Sequence, residues 1–392
     1  MQTIVPNTFG SSLSHTAIGV ATMNPRAIDT SQRPFVLVWE LTQACELACK
    51  HCRADAKPNR HPDELTTAEG QQLLDEAAQF GDGQLVVLSG GDPLAREDAA
   101  ELVQYGTDAG LRMTLTPSGT ASLTRDSIDE LADAGLQRVA LSIDGGSAEA
   151  HDAFRKENGS FDQTVAAAEA AKSAGLPLQV NTTVCAETVD ELPKIRQLVE
   201  DLGAVLWSVF FLVPVGRGRV LDPISPARAE GVMEWLSHVA DEARFGVKTT
   251  EAPHYRRVVA QRGSDSTDRP SADSIGRRAG ITAGNGFAFV SHIGKVYPSG
   301  FLPQSAGNVR EQSVVDIYRN SDLFRSLRDP DALRGKCGAC EFRHLCGGSR
   351  SRAFAYTQDP LESDPLCDYV PDGYEGQLPE QTFTARDAST AD

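Results

Sequence analysis

Six short apolar runs alternate with amphipathic segments, and this alternation limits the fold more than any other feature of the sequence. The runs are Phe35–Leu41, Leu85–Leu88, Arg112–Thr116, Arg138–Ile143, Leu178–Val184 and Leu206–Val213. Apolar periodicity predicts helices at about 66–80, 96–109, 124–134, 161–174, 189–202 and 226–243. Strands that alternate with helices form parallel sheets with right-handed crossovers. The predicted fold class is therefore α/β, a partial (β/α)6 barrel of the TIM type, with functional groups at the carboxyl ends of its strands.

The chain has 392 residues, which is more than one average domain needs. We predict a flexible leader and a barrel, then a connecting segment, a small cysteine-rich domain and an acidic tail. Their bounds are 1–33, 34–250, 251–285, 286–371 and 372–392. The small domain is expected to contain a hairpin (Phe287–Ser291 with Lys295–Tyr297) and a short helix near 313–326.

The charge balance excludes some classes of function. Lys and Arg number 37 against 54 Asp and Glu, a net charge of −17, which argues against nucleic-acid binding. No run of apolar residues is long enough to span a membrane. The first 25 residues lack the pattern of a signal peptide, so we expect a cytoplasmic protein. Only eight of the basic residues are Lys, and this acidic composition favours a halophilic host as a hypothesis.

Three cysteines lie on one short segment directly after the first predicted strand. They are Cys45, Cys49 and Cys52, in the spacing CxxxCxxC, with His51 beside the last. Three thiolates can hold three irons of a [4Fe–4S] cube and leave the fourth iron open, whereas structural zinc prefers four closed ligands. Spacing alone leaves both metals possible, and the position at the barrel mouth favours the cluster. Cys185 stands apart and is interpreted as a core residue.

CxxxCxxC after the first strand of a β/α array resembles the radical SAM superfamily. The resemblance implies that the open iron chelates S-adenosylmethionine, and that reductive cleavage yields a 5′-deoxyadenosyl radical that abstracts hydrogen from substrate. It also implies that a low-potential ferredoxin or flavodoxin supplies the electron. In such enzymes the cofactor carries the difficult chemistry, and the protein orients it.

Residues at or near the ends of successive strands match the family's cofactor contacts. By that resemblance, the predicted cofactor-binding residues are His51, Gly90, Gly91, Asp92, Pro93, Ser118, Ser142, Asp144, Asn181, Thr182 and Val213. The family usually has Gly-Gly-Glu-Pro where this chain has Gly-Gly-Asp-Pro, a change that shortens one side chain by a methylene. Taken singly, each residue has an ordinary reading as a turn or a polar strand end. Their order along successive strands favours function.

A second group of four cysteines lies near the C-terminus: Cys337, Cys340, Cys346 and Cys367. The group resembles the SPASM extension of radical SAM enzymes, which normally carries two auxiliary [4Fe–4S] clusters. Ser299 and Arg350 stand where the resemblance would place ligands of the inner cluster. We therefore expect one auxiliary [4Fe–4S] cluster, held by these four cysteines. Zinc is the alternative, because four thiolates suit both.

Basic residues near the predicted barrel mouth point to an acidic substrate, because Arg pairs carboxylates bidentately. The predicted substrate-binding residues are Arg217, Arg219, His254, Tyr255, Arg256 and Arg257. A solvated loop is the alternative reading of any one of them.

The residues flanking the first cysteine group, Trp39-Glu40 before it and Cys52-Arg53-Ala54 at its end, look most like the haem-biosynthesis branch. That resemblance implies a porphyrin substrate, with oxidative decarboxylation of propionates or removal of acetates. Two alternatives stay open. One is a SPASM-type peptide maturase, and the other is a non-catalytic electron-transfer or zinc protein.

Overall fold

A computed structural model of the protein describes residues 28–263 and 281–380. Most of the predicted leader, the second half of the connecting segment and the end of the predicted tail lie outside the described residues. In the described part, the predicted α/β class is confirmed. The strands are β1 (Val36–Thr42), β2 (Leu85–Gly90), β3 (Arg112–Leu115), β4 (Arg138–Ser142), β5 (Leu178–Val184), β6 (Leu206–Phe211), β7 (Gly246–Thr250), β8 (Thr282–Ala283), β9 (Gly286–Val290), β10 (Lys295–Tyr297) and β11 (Gly307–Asn308).

Helices connect the parallel strands and form much of the C-terminal part. They are α1 (Thr67–Ala78), α2 (Ala99–Asp108), α3 (Arg125–Asp133), α4 (Ala148–Arg155), α5 (Ser160–Ser173), α6 (Leu192–Asp201), α7 (Pro226–Glu242), α8 (Tyr255–Gln261), α9 (Val314–Asn320), α10 (Asp322–Leu327), α11 (Gly335–Ala339) and α12 (Arg350–Thr357). Several begin at side-chain caps. Thr66 and Glu69, for example, form a reciprocal capping box at the start of α1.

Strands β1 to β7 lie side by side in chain order, and each pair of neighbours is parallel. Within the described residues β7 pairs with β6 alone, so the sheet stays open, as a partial barrel requires. The six predicted strands are present. The structure adds β7, a seventh parallel strand, and the helices α4 and α8, which the sequence did not predict. No described helix is long and apolar enough to cross a membrane.

The predicted C-terminal hairpin is present as β9 and β10, and it extends the barrel sheet. Strand β9 pairs in parallel with β1, and β10 pairs with β9 in the antiparallel sense. The short predicted helix is two helices, α9 and α10. The end of the predicted leader contacts this region, because the Tyr318 hydroxyl donates to the carbonyl oxygen of Thr30 at 2.5 Å.

The alternation of side chains along β1 positions both the core and the site. Leu37, Trp39 and Leu41 are buried in the main hydrophobic cluster with residues of α1 and α2. Because successive side chains point to opposite faces, Val36 and Val38 line the barrel interior. One face of each strand therefore supplies the core, and the other supplies the walls of a cavity.

Candidate active site

The cysteine segment after β1 is closed into a compact loop by backbone hydrogen bonds. The amide of Cys45 donates to the carbonyl of Lys57 at 2.8 Å, and the amide of Lys57 donates to that of Gln43 at 3.1 Å. Cys45 and Cys49 are buried and Cys52 is half-buried. All three line one cavity of about 390 Å³ inside the barrel.

Each of the three sulfurs has a hydrogen-bond donor. The amide of Leu47 lies 3.4 Å from the Cys45 sulfur, and the amide of Ala56 lies 3.4 Å from the Cys52 sulfur. Arg155 Nη1 lies 3.9 Å from the Cys49 sulfur. Donors directed at sulfur stabilise metal-bound thiolates and tune the centre they hold.

Burial makes the Cys45 and Cys49 thiols poor nucleophiles when they hold no metal. It raises the pKa of Cys45 to about 11 and also raises the pKa of Cys49. A thiol becomes a ligand by losing its proton to a metal, so metal loading here releases protons. The loop therefore suits a metal centre and does not suit a free catalytic thiolate.

Arg217 holds the cysteine loop from the segment after β6. Its Nε donates to the carbonyl of Cys49 at 3.0 Å, and its Nη1 donates to that of Ala56 at 2.9 Å. Its backbone amide bonds the carbonyl of Cys52 at 3.0 Å. The guanidinium is thus engaged by protein carbonyls, and its predicted contact with substrate stays a prediction.

The two glycines after β2 are required by the cysteine loop. A Cβ on Gly90 would lie 2.4 Å from the carbonyl oxygen of Thr42, and Gly90 has a φ of +146°. A Cβ on Gly91 would lie 2.3 Å from the carbonyl oxygen of Ala44. The glycines admit the backbone that leads into the cysteines, and their predicted contact with a cofactor stays a prediction.

Asp92 follows these two glycines, is buried, and holds the loop after β3 in place by hydrogen bonds. Its carboxylate accepts the Thr120 hydroxyl at 2.6 Å and the amides of Leu94 and Ser118 at 3.1 and 3.3 Å. Pro93 begins a 3₁₀ turn, Pro93–Ala95. Neither Asp92 nor Pro93 lines the cavity.

Most of the predicted strand-end residues meet at the cavity. The ones that line it are His51, Gly90, Gly91, Ser118, Ser142, Asn181 and Val213. Thr182 points to the opposite face of β5, where its hydroxyl donates to the carbonyl of Ile143 at 2.7 Å and accepts from Trp207 Nε1 at 2.9 Å. The next residue, Thr183, lines the cavity instead.

Asp144 lies behind the cavity wall and orients Arg155, a residue that the sequence reasoning missed. Arg155 Nη2 and Nε lie 2.6 and 2.9 Å from one carboxylate oxygen. Burial alone would raise the pKa of Asp144, but Arg155 and the nearby His51 and His151 outweigh it and lower the pKa to about 2. Arg155 therefore remains a cation at the cavity wall, beside the Cys49 sulfur. Helix α4, which carries Arg155, begins at the Ser147 cap. This cap is the sequence signal from which the helix, although not the contact made by Arg155, could be predicted.

His51 is held as a neutral ring. It stacks on Phe154 with 4.8 Å between ring centroids, and burial lowers the pKa of His51 to about 4. Its Nδ1 is buried and has no hydrogen-bond partner in the described part of the chain. The His51 ring lines the cavity, whereas Nδ1 itself has almost no accessible surface.

Comparison with known proteins decides the family. A sequence profile of the Radical SAM superfamily matches residues 39–199. The AdoMet-dependent heme synthase of Methanosarcina barkeri (strain Fusaro / DSM 804) is 44% identical over 347 residues, which cover 88% of this chain and 99% of that protein. The chain belongs to the radical SAM superfamily. The AdoMet-dependent heme synthase of Oleidesulfovibrio alaskensis is 40% identical, over 88% of this chain and 90% of that protein.

A solved structure agrees at the level of the fold. Streptococcus suis SuiB bound to S-adenosylmethionine has a TM-score of 0.65 and 16% identity, over 86% of this chain and 78% of that chain. Membership of the superfamily makes this protein an enzyme, with a [4Fe–4S] cluster and S-adenosylmethionine as cofactors. The non-catalytic alternative is thereby set aside. The residues fit this assignment, because three thiols with matched donors line one cavity together with the His51 ring.

The second cysteine group of this radical SAM enzyme also converges. Cys337, Cys340, Cys346 and Cys367 line one small cavity. Burial raises the pKa of Cys346, and it raises the pKa of Cys367 to about 12. Among residues 28–263 and 281–380, no three His, Cys, Asp or Glu side chains are gathered as a single metal ion would require.

Ser299 and Arg350 are both buried and both line the barrel cavity. The Ser299 hydroxyl donates to Glu251 at 3.0 Å, and the Ser351 hydroxyl donates to the same carboxylate oxygen at 2.9 Å. Arg350 Nη1 bonds the carbonyls of Pro360 and Glu362 at 2.8 and 2.7 Å. This region is a hydrogen-bonded polar network.

The remaining predicted substrate residues separate into different environments. Arg256 lines the barrel cavity and donates to backbone carbonyls, and burial lowers its pKa to about 10. Arg257 pairs with Glu230 and lies at the C-terminal cysteines. The described cavity wall does not include Arg219, His254 or Tyr255. Burial lowers the pKa of His254 to about 3.

Proposed function

We propose that this radical SAM enzyme acts in haem biosynthesis and oxidatively decarboxylates propionate side chains of iron-coproporphyrin III. The charge of the barrel cavity is the observation that carries the proposal. Seven basic residues line the cavity against a single carboxylate, Glu251. Arg53 and Arg155 pair with Glu40 and Asp144 behind the wall, but basic side chains remain in excess, although the chain as a whole has a net charge of −17. A local positive field in an acidic protein suits an anionic substrate. The AdoMet-dependent heme synthases among its relatives support the choice of a porphyrin.

The first cluster is proposed to be held by Cys45, Cys49 and Cys52. When bound, it supplies the electron that cleaves S-adenosylmethionine and starts hydrogen abstraction from the substrate. Arg155, fixed by Asp144 at the cavity wall, offers a cation for the methionine carboxylate. The Ser118 hydroxyl lies 3.6 Å from the Cys45 sulfur, which supports the proposal that Ser118 contacts the same cofactor.

The other proposed cofactor contacts follow from the cavity wall. Gly90 and Gly91 expose backbone to the ligand, and Ser142 and Asn181 offer polar groups at neighbouring strand ends. His51 and Val213 supply a ring and an apolar surface for the adenine. For Asp92, Pro93, Asp144 and Thr182 we propose supporting roles, because the cavity wall does not include them.

The four C-terminal cysteines are proposed to hold one auxiliary [4Fe–4S] cluster, as their convergence on one cavity supports. Cys367→Ala should remove about half of the iron, because one of two clusters of equal size loses a ligand. Iron per chain, measured after anaerobic reconstitution, checks this. The matched control is Cys185→Ala, since the Cys185 thiol is buried against Thr188 and lines neither of the two cysteine cavities. Unchanged iron in Cys367→Ala, or zinc bound in its place, would contradict the auxiliary cluster.

The substrate is tested by mass spectrometry of iron-coproporphyrin III after incubation with reduced enzyme and S-adenosylmethionine. Each propionate converted to a vinyl group should lose carbon dioxide and two hydrogens. One hydrogen should leave as an atom and appear in 5′-deoxyadenosine, the other should leave as the proton of the carboxyl group, and one electron should pass to a one-electron acceptor such as an oxidised iron–sulfur cluster. The electron donor is proposed to be a ferredoxin or flavodoxin, and the compartment the cytoplasm. An unchanged porphyrin would shift the proposal to deacetylation of a sirohaem-derived precursor or to a peptide substrate.

A further inference from the structure

The basic residues of the barrel cavity fall into two groups. Five have protein partners and two do not. The five are Arg53 with Glu40, Arg155 with Asp144, Arg217 with the cysteine loop, Arg256 with backbone carbonyls, and Arg350 with backbone carbonyls. The side chains of Arg138 and Lys248 form no hydrogen bond or ion pair with any described residue, although both residues line the cavity and their backbones belong to the sheet.

These two cations lie inside the barrel, among apolar wall residues such as Val36, Val87 and Phe287. Arg138 is the first residue of β4, whereas Ser142 ends that strand at the edge near the cysteine loop. At about 3.3 Å per residue, the two Cα atoms are roughly 13 Å apart along the strand. Arg138 therefore begins deep in the barrel, far from the edge where the cluster ligands lie.

Two like charges without a counter-ion in a partly buried cavity are costly. Burial is the main cause that lowers the pKa of Lys248, to about 8, and the positive charge of Arg138 adds to it. Burial also lowers the pKa of Arg138, with a further contribution from Arg112. An anion between the two side chains would relieve both effects, and the described cavity wall supplies none there.

We propose that Arg138 and Lys248 form an anchoring subsite for a carboxylate of the substrate. The proposal rests on the proposed function, which makes that carboxylate a propionate that does not react. Arg offers two parallel donors and Lys a compact ammonium, so one carboxylate can bond both. The apolar wall around them suits the body of a macrocycle. Anchoring one propionate inside the barrel would hold a different propionate at the cluster edge.

The test is an anaerobic absorbance titration of the cluster-loaded enzyme with iron-coproporphyrin III. Lys248→Met and Arg138→Met should each raise the Kd about tenfold or more, the range expected when a charge-assisted hydrogen bond is lost. Lys248→Arg should restore most of the affinity, because it restores the charge. The tetramethyl ester of the same porphyrin has no carboxylate, so the variants should bind it as the wild type does. Iron content and circular dichroism verify that each variant is folded.

Lys172→Met is the matched control, because Lys172 is exposed on α5 and away from the cavity. If the wild type converts iron-coproporphyrin III but Lys248→Met and Arg138→Met bind it as tightly as Lys172→Met does, the proposed subsite is wrong and the proposed function stands. Equal weakening toward the ester would also overturn the subsite, because it would show a loss of shape and not of charge. If the wild type neither binds nor converts the porphyrin, the proposed function fails and the anchor fails with it.

Discussion

Gly91 makes one backbone contact on which the first cluster site depends. A Cβ at this position would lie 2.3 Å from the carbonyl oxygen of Ala44, the residue that precedes Cys45. Backbone cannot move aside as a flexible side chain can, so Gly91→Ala should displace the cysteine loop. We expect a loss of stability of about 1–3 kcal/mol, as for overpacking. We also expect a fall in iron content. Thermal unfolding measures the loss of stability, and metal analysis measures the iron.

Gly231→Ala is the control for that substitution. Gly231 lies in α7, and a Cβ there would have open space around it. Alanine within a helix should stabilise the protein by about 0.5–1 kcal/mol without changing the iron content. If Gly91→Ala retained full iron and stability, the close approach between the two loops would not be needed for the site.

At the residue scale, the sequence predicted where the site lies better than which side chains reach it. Ser118, Ser142 and Asn181 line the cavity, because strand ends of a parallel sheet meet at one edge. Thr182 does not, since period-2 alternation turns it to the other face of β5 and brings Thr183 inward. Arg155 was missed because its role depends on the fold bringing α4 beside the cysteine loop. No local pattern encodes that contact.

Helix α12 attaches the C-terminal part to the barrel through one buried arginine. Arg352 Nε and Nη2 donate to the carbonyls of Leu212 and Phe211 at 3.2 and 3.1 Å, and Nη1 lies 3.2 Å from Asp364. Arg352→Met would leave the Asp364 carboxylate buried with its nearest cation removed. We expect a loss of about 3–5 kcal/mol, measured by chemical denaturation.

An exposed ion pair in the same part of the chain provides the comparison. Arg334 pairs with Asp359, but the Arg334 side chain is 61% exposed. Arg334→Met should therefore cost less than about 1 kcal/mol, as surface pairs do. Equal effects of the two substitutions would mean that Arg352 does not hold α12 on the barrel.

At the element scale, apolar periodicity predicted the strands and most helices that pack on the core. It missed β7, because only Val247 in that strand belongs to the main hydrophobic cluster while Lys248, Thr249 and Thr250 line the cavity. It also missed α4 and α8, which are eight and seven residues long. Elements whose side chains serve a polar cavity do not produce the apolar pattern from which strands are predicted.

At the scale of the whole molecule, the barrel and the C-terminal part share one sheet. Strand β9 pairs with β1, and β1 leads directly into the first cysteine loop. The boundary predicted at residue 286 was drawn from composition, which cannot reveal hydrogen bonds between strands distant in the chain. The Arg53–Glu40 pair, at 2.7 Å, joins the cysteine loop to β1, and His292, after β9, contacts the same carboxylate at 2.6 Å. The C-terminal part thus supports the first site as well as carrying the second cysteine group.

The net charge of −17 predicts how the whole molecule responds to salt. Self-repulsion among surface carboxylates should be screened as the Debye length falls from about 10 Å at 0.1 M to about 3 Å at 1 M. We expect the midpoint of thermal unfolding to rise between these KCl concentrations, as the halophilic hypothesis requires. Sucrose at matched osmolality is the control for solute exclusion, which does not act by screening. A midpoint that stays constant or falls in KCl would contradict the hypothesis.

Added KCl should weaken the binding of iron-coproporphyrin III less than it weakens ion pairs on the protein surface. Arg138 and Lys248 lie in a cavity, where salt screens charges less than it does in open solvent.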